Sequence, residues 1–417
     1  LEEDRGMRKR RRISEKAFIA LTLGALGLAH LSCRAERTAG PGEEASPGNP
    51  LYVDPTGYDW SDNPRLVDKL RSTPHRYFRF INVTFSREVC RRFAAEAAAA
   101  PSLNLHGDAH LEQYAVTELG RGLTDFDDSS IGPAVVDLVR FGTSLHLACI
   151  EQSCGDDPEE LFGEFLRGYR AALQDPAIQA PEPRLARRKR EGFRHDLEGY
   201  YGFVDSAMEP VPEAEARELE AALGPYFRAM AEVESGLAAD FFTVERLGYL
   251  RMGVGSALDL KYLVRVRGAS GDPFDDVVLQ VKQVRDLRGI PCIRTDPGAD
   301  PLRVLRGHLR IAARPFRFLG YARFRHRNFW VHAWVENYSE LEIEEVFDNP
   351  GEAAEIAYDV GVQLGRGHPI ETVPQLARQV RDEQIRLVDR DAGKIAAACR
   401  ELARSTVAAW ERFKAEL

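Results

Sequence analysis

The chain has 417 residues, 44% of them hydrophobic and 29% charged, with a net charge of −9. Such a composition excludes a disordered or fibrous chain and leaves room for one large or two ordinary globular domains. The acidic balance argues against nonspecific contact with nucleic acid or anionic membranes, because neutralising phosphates needs a basic surface.

The N-terminus stands apart. Arg8-Lys9-Arg10-Arg11-Arg12 precedes an apolar run from Ala17 to Leu31, followed by Ser32-Cys33. A basic start and a short apolar core before small residues form the layout of a secretory signal, and a spanning helix would need about 20 apolar residues. Cys33 sits where a lipoprotein signal carries its lipidated cysteine, and an uncleaved anchor would have the same topology. Residues 1–35 therefore read as a signal peptide, lipoprotein signal or anchor. The expected location is exported, periplasmic or membrane-anchored, and cytoplasmic only if this segment is a start-site artefact. Residues 36–60, with Pro41–Pro50 rich in Gly, Pro, Glu and Ser, read as a flexible linker. Cys90, Cys149, Cys154, Cys292 and Cys399 show no zinc-like spacing and are expected to be mostly buried free thiols.

Ser86–Ala100 holds strong helix formers and stops at Pro101, which predicts one helix. Leu103-Asn104-Leu105 is a short apolar strand leading into a polar loop. Tyr114–Thr117 and Leu123–Phe126 flank Gly120-Arg121-Gly122 as a hairpin. Pro133 opens a helix, and Leu161, Phe162, Phe165 and Tyr169 mark another. Glu213–Leu223 and Tyr226–Leu237 read as two helices split by Gly224-Pro225. Strands follow at Tyr262–Val266 and Val277–Val281, then a helix at Leu302–Ala313, then strands at Phe316–Tyr321 and Asn328–Glu336. Ala353–Phe413 is helical, interrupted by Pro369 and Pro374.

Asp108 lies in the loop after the first strand, flanked by His106 and His110, and Asp125 and Asp127 follow on the hairpin's return. A short hairpin folds back on itself, so these carboxylates can converge at one end. Hard cations want carboxylate oxygens, and a spare aspartate can accept a hydroxyl proton. The histidines could instead ligate a metal, as in a hydrolase, and Asp-rich hairpins also occur as solvated turns. A second constellation lies downstream. Gly253-Val254-Gly255-Ser256 precedes one strand, and the next strand presents Lys282. Glycines let backbone amides approach phosphate oxygens, and a lysine on a neighbouring strand reaches them as a point charge.

His106-Gly107-Asp108-Ala109-His110-Leu111-Glu112-Gln113 resembles the catalytic loop of aminoglycoside- and choline-kinase-like phosphotransferases, and Asp125-Phe126-Asp127 is similar to their metal-binding strand. From about Lys69 the chain more closely resembles the bacterial domain of unknown function 2252 family. The stretches that carry this are Ser72–Arg79, the His-Gly-Asp loop, Thr124–Asp128, Gly132-Pro133, Asp137–Arg140, Gly253–Ser256, Leu279–Lys282, Arg303–Gly307 and Leu364–His368.

The resemblance implies an α+β, mostly helical, protein-kinase-like fold of two lobes in permuted order, since Asp108 precedes Gly253 and Lys282. Residues 61–240 would form a helical lobe with the catalytic hairpin, 241–345 a small β-rich nucleotide-binding lobe, and 346–417 helices packing back on the helical lobe. Asp108 would be the base, with His106 and His110 beside it. Asp125, Asp127 and Gln113 would hold Mg2+, and Gly253, Gly255, Ser256 and Lys282 would bind ATP. Gln113 stands where the family has asparagine. Gln283, Arg306 and His308 stand where a carboxylate to orient the lysine is expected. Asp137 would anchor the catalytic loop, while Arg140 and Glu112 read as solvated residues.

Three functions follow from this reading. The first is phosphate transfer from Mg-ATP to a hydroxyl of a small molecule or protein. The second is an exported kinase-like binding protein with impaired catalysis, a pseudokinase. The third is a metal-dependent phosphoesterase. The expected partners are a nucleotide and a hydroxyl acceptor, with no nucleic acid, and membrane contact only through the N-terminal segment.

Overall fold

Prolines and one short polar side chain set the first helices of this computed structural model, which describes residues 48–417 apart from 59, 61–63, 235, 239, 253, 255–258, 296–299 and 371–373, and apart from the side chains of 64, 374 and 375. Helices α1 (Pro64–Ser72) and α2 (Pro74–Phe80) each start on a proline, whose fixed φ suits a first turn. Thr73 caps α2 by accepting from the Arg76 amide at 3.2 Å. Ahead of them, Leu51, Tyr52 and Val53 are buried, and the Tyr77 hydroxyl donates to the Leu51 carbonyl at 2.8 Å. Part of the linker expected over residues 36–60 is thus packed chain, at Leu51–Val53 and Pro55. The single helix expected over Ser86–Ala100 is two, α3 (Asn82–Arg92) and α4 (Ala94–Ala99), broken at Phe93. No residue of α4 is buried, so nothing holds it to the axis of α3 once the Phe93 ring has entered the core.

Strand β1 (Leu103–Leu105) is followed by the hairpin β2 (Tyr114–Thr117) and β3 (Arg121–Leu123), and then by β4 (Ser130–Gly132). β4 returns antiparallel to β1 with Leu105 opposite Ser130, which brings the loop after β1 against the segment before β4. α5 (Val135–Gln152) is buried without a break from Val136 to Cys149, as befits a helix at the centre of a core. Next come α6 (Pro158–Gln174), α7 (Arg184–Glu191), α8 (Leu197–Ala207), strand β5 (Met208–Glu209) and α9 (Glu213–Val233). α9 is one helix through Pro225, not two. An interior proline costs about 3 kcal/mol, but Leu219, Leu223, Tyr226 and Met230 form one buried stripe across it, and the Tyr226 hydroxyl donates to the Phe318 carbonyl.

β6 (Val244–Leu250), β7 (Lys261–Val266) and β8 (Val277–Gln283) precede α10 (Pro301–Ile311), β9 (Gly320–Phe324) and β10 (Arg327–Ala333). These strands and β5 form an antiparallel six-stranded sheet in the order β5-β6-β7-β8-β10-β9. The β9–β10 turn holds Arg325 and His326 at φ +44° and +64°. Two-residue hairpin turns need that conformation, and Arg325 is held there by Glu215 and Glu218 at 2.7 and 2.8 Å. The chain then crosses to β11 (Tyr338–Glu340), which joins β2 and β3 in a three-stranded sheet.

α11 (Ile343–Val346), α12 (Glu352–Gly367) and α13 (Pro374–Glu416) complete the chain. α12 packs closely on α6. A Cβ at Gly168, Gly361 or Gly365 would overlap a backbone carbonyl of the facing helix. The cysteines depart from expectation: Cys90 is bonded to Cys292 and Cys149 to Cys154, leaving only Cys399 as a buried free thiol among the described residues. Spacing could not foresee pairs separated by 202 and 5 residues.

Candidate active site

Asp137, in the first turn of α5, holds the loop after β1. Its carboxylate accepts from the amides of His106 at 2.7 Å and Gly107 at 2.8 Å. His368, from the end of α12, donates to the same carboxylate through Nε2 at 3.0 Å and accepts the Tyr169 hydroxyl at Nδ1. Asp137 therefore anchors the loop as expected. Gly107 has φ +85°, and a Cβ there would overlap the Asp128 carbonyl, so only glycine fits. His106 is fully buried with both ring nitrogens engaged. Nε2 bonds the Thr124 carbonyl at 2.8 Å, and Nδ1 accepts the Asp108 amide at 3.2 Å. It ties the loop to the returning segment.

Arg140, read from sequence as a solvated helix residue, is 1% exposed. It reaches Asp108 Oδ1 through Nε at 2.9 Å and through Nη2 at 2.7 Å, and it also donates to the Phe78 carbonyl at 3.0 Å with its guanidinium 3.5 Å from the Phe78 ring centre. Burial pushes the Asp108 carboxyl upward, and Arg140 opposes that. His110 Nε2 lies 3.8 Å from Asp108 Oδ2, and neither ring nitrogen has a hydrogen-bond partner among the described residues. Burial, with Arg79 and His75 nearby, pushes its pKa well below the usual value, so the ring is neutral. Glu112, also read as solvated, is buried and accepts from Arg79 at 2.7 Å, with His75 at 3.3 Å.

Asp125 ends the return strand with φ +56°, a left-handed conformation that aspartate tolerates better than most residues. The strand expected to run through Phe126 stops at Leu123 for that reason. Lys282 on β8 places Nζ 2.7 Å from Asp125 Oδ1 and also contacts Asp127 Oδ2. Trp330, opposite Lys282 in the β8–β10 register, donates to Asp127 Oδ1 at 2.7 Å. Burial opposes ionisation of Asp125, but the Lys282 ammonium outweighs it and holds this carboxyl below the usual range. Burial, then the Asp125 charge, push Asp127 the other way.

Asp128 pairs with Arg285 at 3.0 Å and accepts from Asn82 at 3.0 Å. Arg303 on α10 donates to the carbonyls of Asp127, Ser129 and Arg285. No carboxylate of α10 orients Lys282; Asp125 and Asp127 do so. His308 is likewise engaged elsewhere, accepting the Phe316 amide at 2.9 Å.

Asp108, Gln113, Asp125, Asp127 and Lys282 line one cleft of about 570 Å³ between the helices and the sheet. Gln113 is buried, and its main-chain carbonyl accepts from the Thr124 amide and hydroxyl at 2.8 and 3.0 Å. Gly253, Gly255 and Ser256 lie outside the described residues, but their neighbours Met252 and Val254 line the cleft.

Residues 64–189 and 184–416 match the model of a family described as "Uncharacterized protein conserved in bacteria (DUF2252)". The chain belongs to this family. Searches of the curated proteins and of the solved structures give no match.

Several residues of this DUF2252 site were missed by sequence reading. Lys261 faces Lys282 across the β7–β8 register, is 4% exposed and contacts the Met252 carbonyl. Burial, then the Lys282 charge, pull its pKa down to about 7. The register that pairs the two lysines depends on tertiary structure. Trp330 did leave a signal, because strand alternation in β10 puts it on the same face as His332, which also lines the cleft.

Proposed function

We propose that this DUF2252 chain is a kinase-like phosphotransferase that moves the terminal phosphoryl group of Mg-ATP onto a hydroxyl. The observation that carries the reading is the meeting, in one cleft, of Lys282 with Asp125 and Asp127, and of all three with Asp108. Those groups come from sequence regions separated by 157 residues. Two features of the sheet support it. Lys282 lies on the third of three consecutive antiparallel strands, with the glycine segment between the first two, the order in which protein kinases arrange these parts. α10 follows that strand, in the place of the kinase helix that faces the lysine.

The carboxylates of Asp125 and Asp127 and the Gln113 amide oxygen form a hard-oxygen donor set that suits Mg2+, which would neutralise phosphate charge. Lys282 would turn toward phosphate oxygens. The purine would lie against Leu250, Val254, Phe316 and Trp334, which line the same cleft. Asp108 would accept the acceptor's hydroxyl proton as that oxygen bonds to phosphorus and the bond to the departing diphosphate breaks. Arg140 occupies Oδ1, Oδ2 lies 3.8 Å from His110 Nε2, and Asp108 lines the cleft. His106 positions the loop and His110 stands beside Asp108; with both nitrogens of His106 taken, the phosphoesterase reading has least support.

The pseudokinase reading draws support from Gln113 and from the absence of a carboxylate on α10 that faces Lys282. Thermal unfolding with and without millimolar Mg-ATP tests both kinase-like readings, because binding to the native state must raise the midpoint. No shift would sink them. Given a shift, phosphate transfer or ATP turnover that Asp108→Ala abolishes while the shift persists favours the enzyme, and a shift with no turnover in the wild type favours the binding protein.

We also propose an exported location. The N-terminal segment behind that reading lies outside the described residues, and two disulfides suit an oxidising compartment. Among the described residues no helix is long and apolar enough to cross a membrane.

A further inference from the structure

The motif Ser72–Arg79 has no part in the phosphotransfer step. Its arginines, Arg76 and Arg79, stand one turn apart on α2 and line the cleft beside Asp108, joined there by Lys69 from α1. Most of the other charges around the cleft are matched. Lys282 faces Asp125 and Asp127, Arg285 faces Asp128 and Asp259, and Arg140 faces Asp108.

The Lys69–Arg76–Arg79 cluster is matched less well. Arg79 has Glu112 at 2.7 Å, and Arg76 reaches the same carboxylate only at 3.8 Å. The Lys69 ammonium has no ion pair or hydrogen bond among the described residues, and partial desolvation at the cleft rim followed by the charges of Arg76 and Arg79 lower its pKa. Glu340 and Glu342 also line the cleft but pair with neither Lys69 nor Arg76. Arg79 is offset by the charges of Glu112 and Glu340, so the under-matched positive charge is that of Lys69 and Arg76, in a chain whose net charge is −9.

We propose that Lys69, Arg76 and Arg79 bind an anionic group, a phosphate or a carboxylate, carried by the hydroxyl acceptor, so that the acceptor is an acidic small molecule. Guanidinium forks suit both anions, and a neighbouring ammonium adds a point charge. The role of the bound molecule as acceptor rests on the phosphotransferase reading; the anion site itself does not.

The test is calorimetric titration of the full chain with inorganic phosphate and, separately, with succinate. The comparison is between wild type, Lys69→Ala, Arg76→Ala and Lys282→Ala. Losing a charge-assisted hydrogen bond should weaken binding by about tenfold or more in the first two variants, while Lys282→Ala retains it. Which of the two anions binds more tightly distinguishes a phosphorylated acceptor from a carboxylic one. Binding lost only in Lys282→Ala would place the anion at the proposed nucleotide phosphates and overturn the proposal while sparing the kinase reading. No binding of either anion at tens of millimolar would also overturn it, and the Mg-ATP midpoint shift would still judge the kinase reading separately. Lys69 is exposed, so its variant folds if either does.

Discussion

Glu112 shows how one buried carboxylate can be made an asset. Burial alone would raise its pKa, but His75, Arg79 and Arg76 outweigh that and hold it below the usual carboxylate range. A depressed acid contributes stability that is fully present above its unfolded pKa, about 4.3, and is lost as pH falls toward the folded value. Glu112→Gln should therefore cost about 3 kcal/mol at neutral pH, because it strands buried cations. The difference from wild type should shrink below about pH 4, where the unfolded glutamate protonates. Urea unfolding of both proteins from pH 3 to pH 7 checks this, and a gap that does not change with pH would refute it. Arg140 is a comparable case. Arg140→Leu leaves Asp108 buried without its cation and should destabilise by about 3–5 kcal/mol; Arg140→Lys should recover only part, since a lysine cannot reproduce the two-nitrogen contact and the stacking on Phe78.

At the scale of elements, the sequence marked most helices and strands but misplaced their limits wherever packing overruled local preference. Pro225 reads as a stop, yet α9 continues through it because its apolar stripe meets the sheet on both sides. Pro225→Ala should stabilise the protein by up to about 3 kcal/mol, measured by chemical denaturation; two separate helices meeting there would gain nothing. The α6–α12 contact predicts the opposite sign. Gly361→Ala forces a Cβ into the Phe165 carbonyl and should cost about 1–3 kcal/mol.

Asp108, Asp125, Asp127 and Lys282 were legible because their chemistry is written into short motifs. Arg140, Arg303 and Lys261 were not, since an arginine or lysine on a helix or strand is usually at the surface, and only the three-dimensional meeting of α5, α10 and the β7–β8 pair with the loops around β1 and β4 turns these inward. Glu112 was misjudged for the same reason.

For the whole molecule, the Cys90–Cys292 bond fastens α3 to the segment between β8 and α10, and so joins the helical part to the part that carries Lys282. Removing a native disulfide typically costs about 2–5 kcal/mol. Cys90→Ser should lower the unfolding midpoint accordingly, and a reductant should lower the wild type toward it while leaving the variant less affected. The pairing itself could not be read from the sequence, since five cysteines without characteristic spacing allow many connections.

That bond also makes the polypeptide a closed ring from Cys90 to Cys292, with Asp108, Asp125, Asp127 and Lys282 all inside the loop. A protease that cuts once anywhere within the ring therefore releases nothing. Both fragments stay joined, and the four side chains remain on one covalent body until a thiol opens the ring.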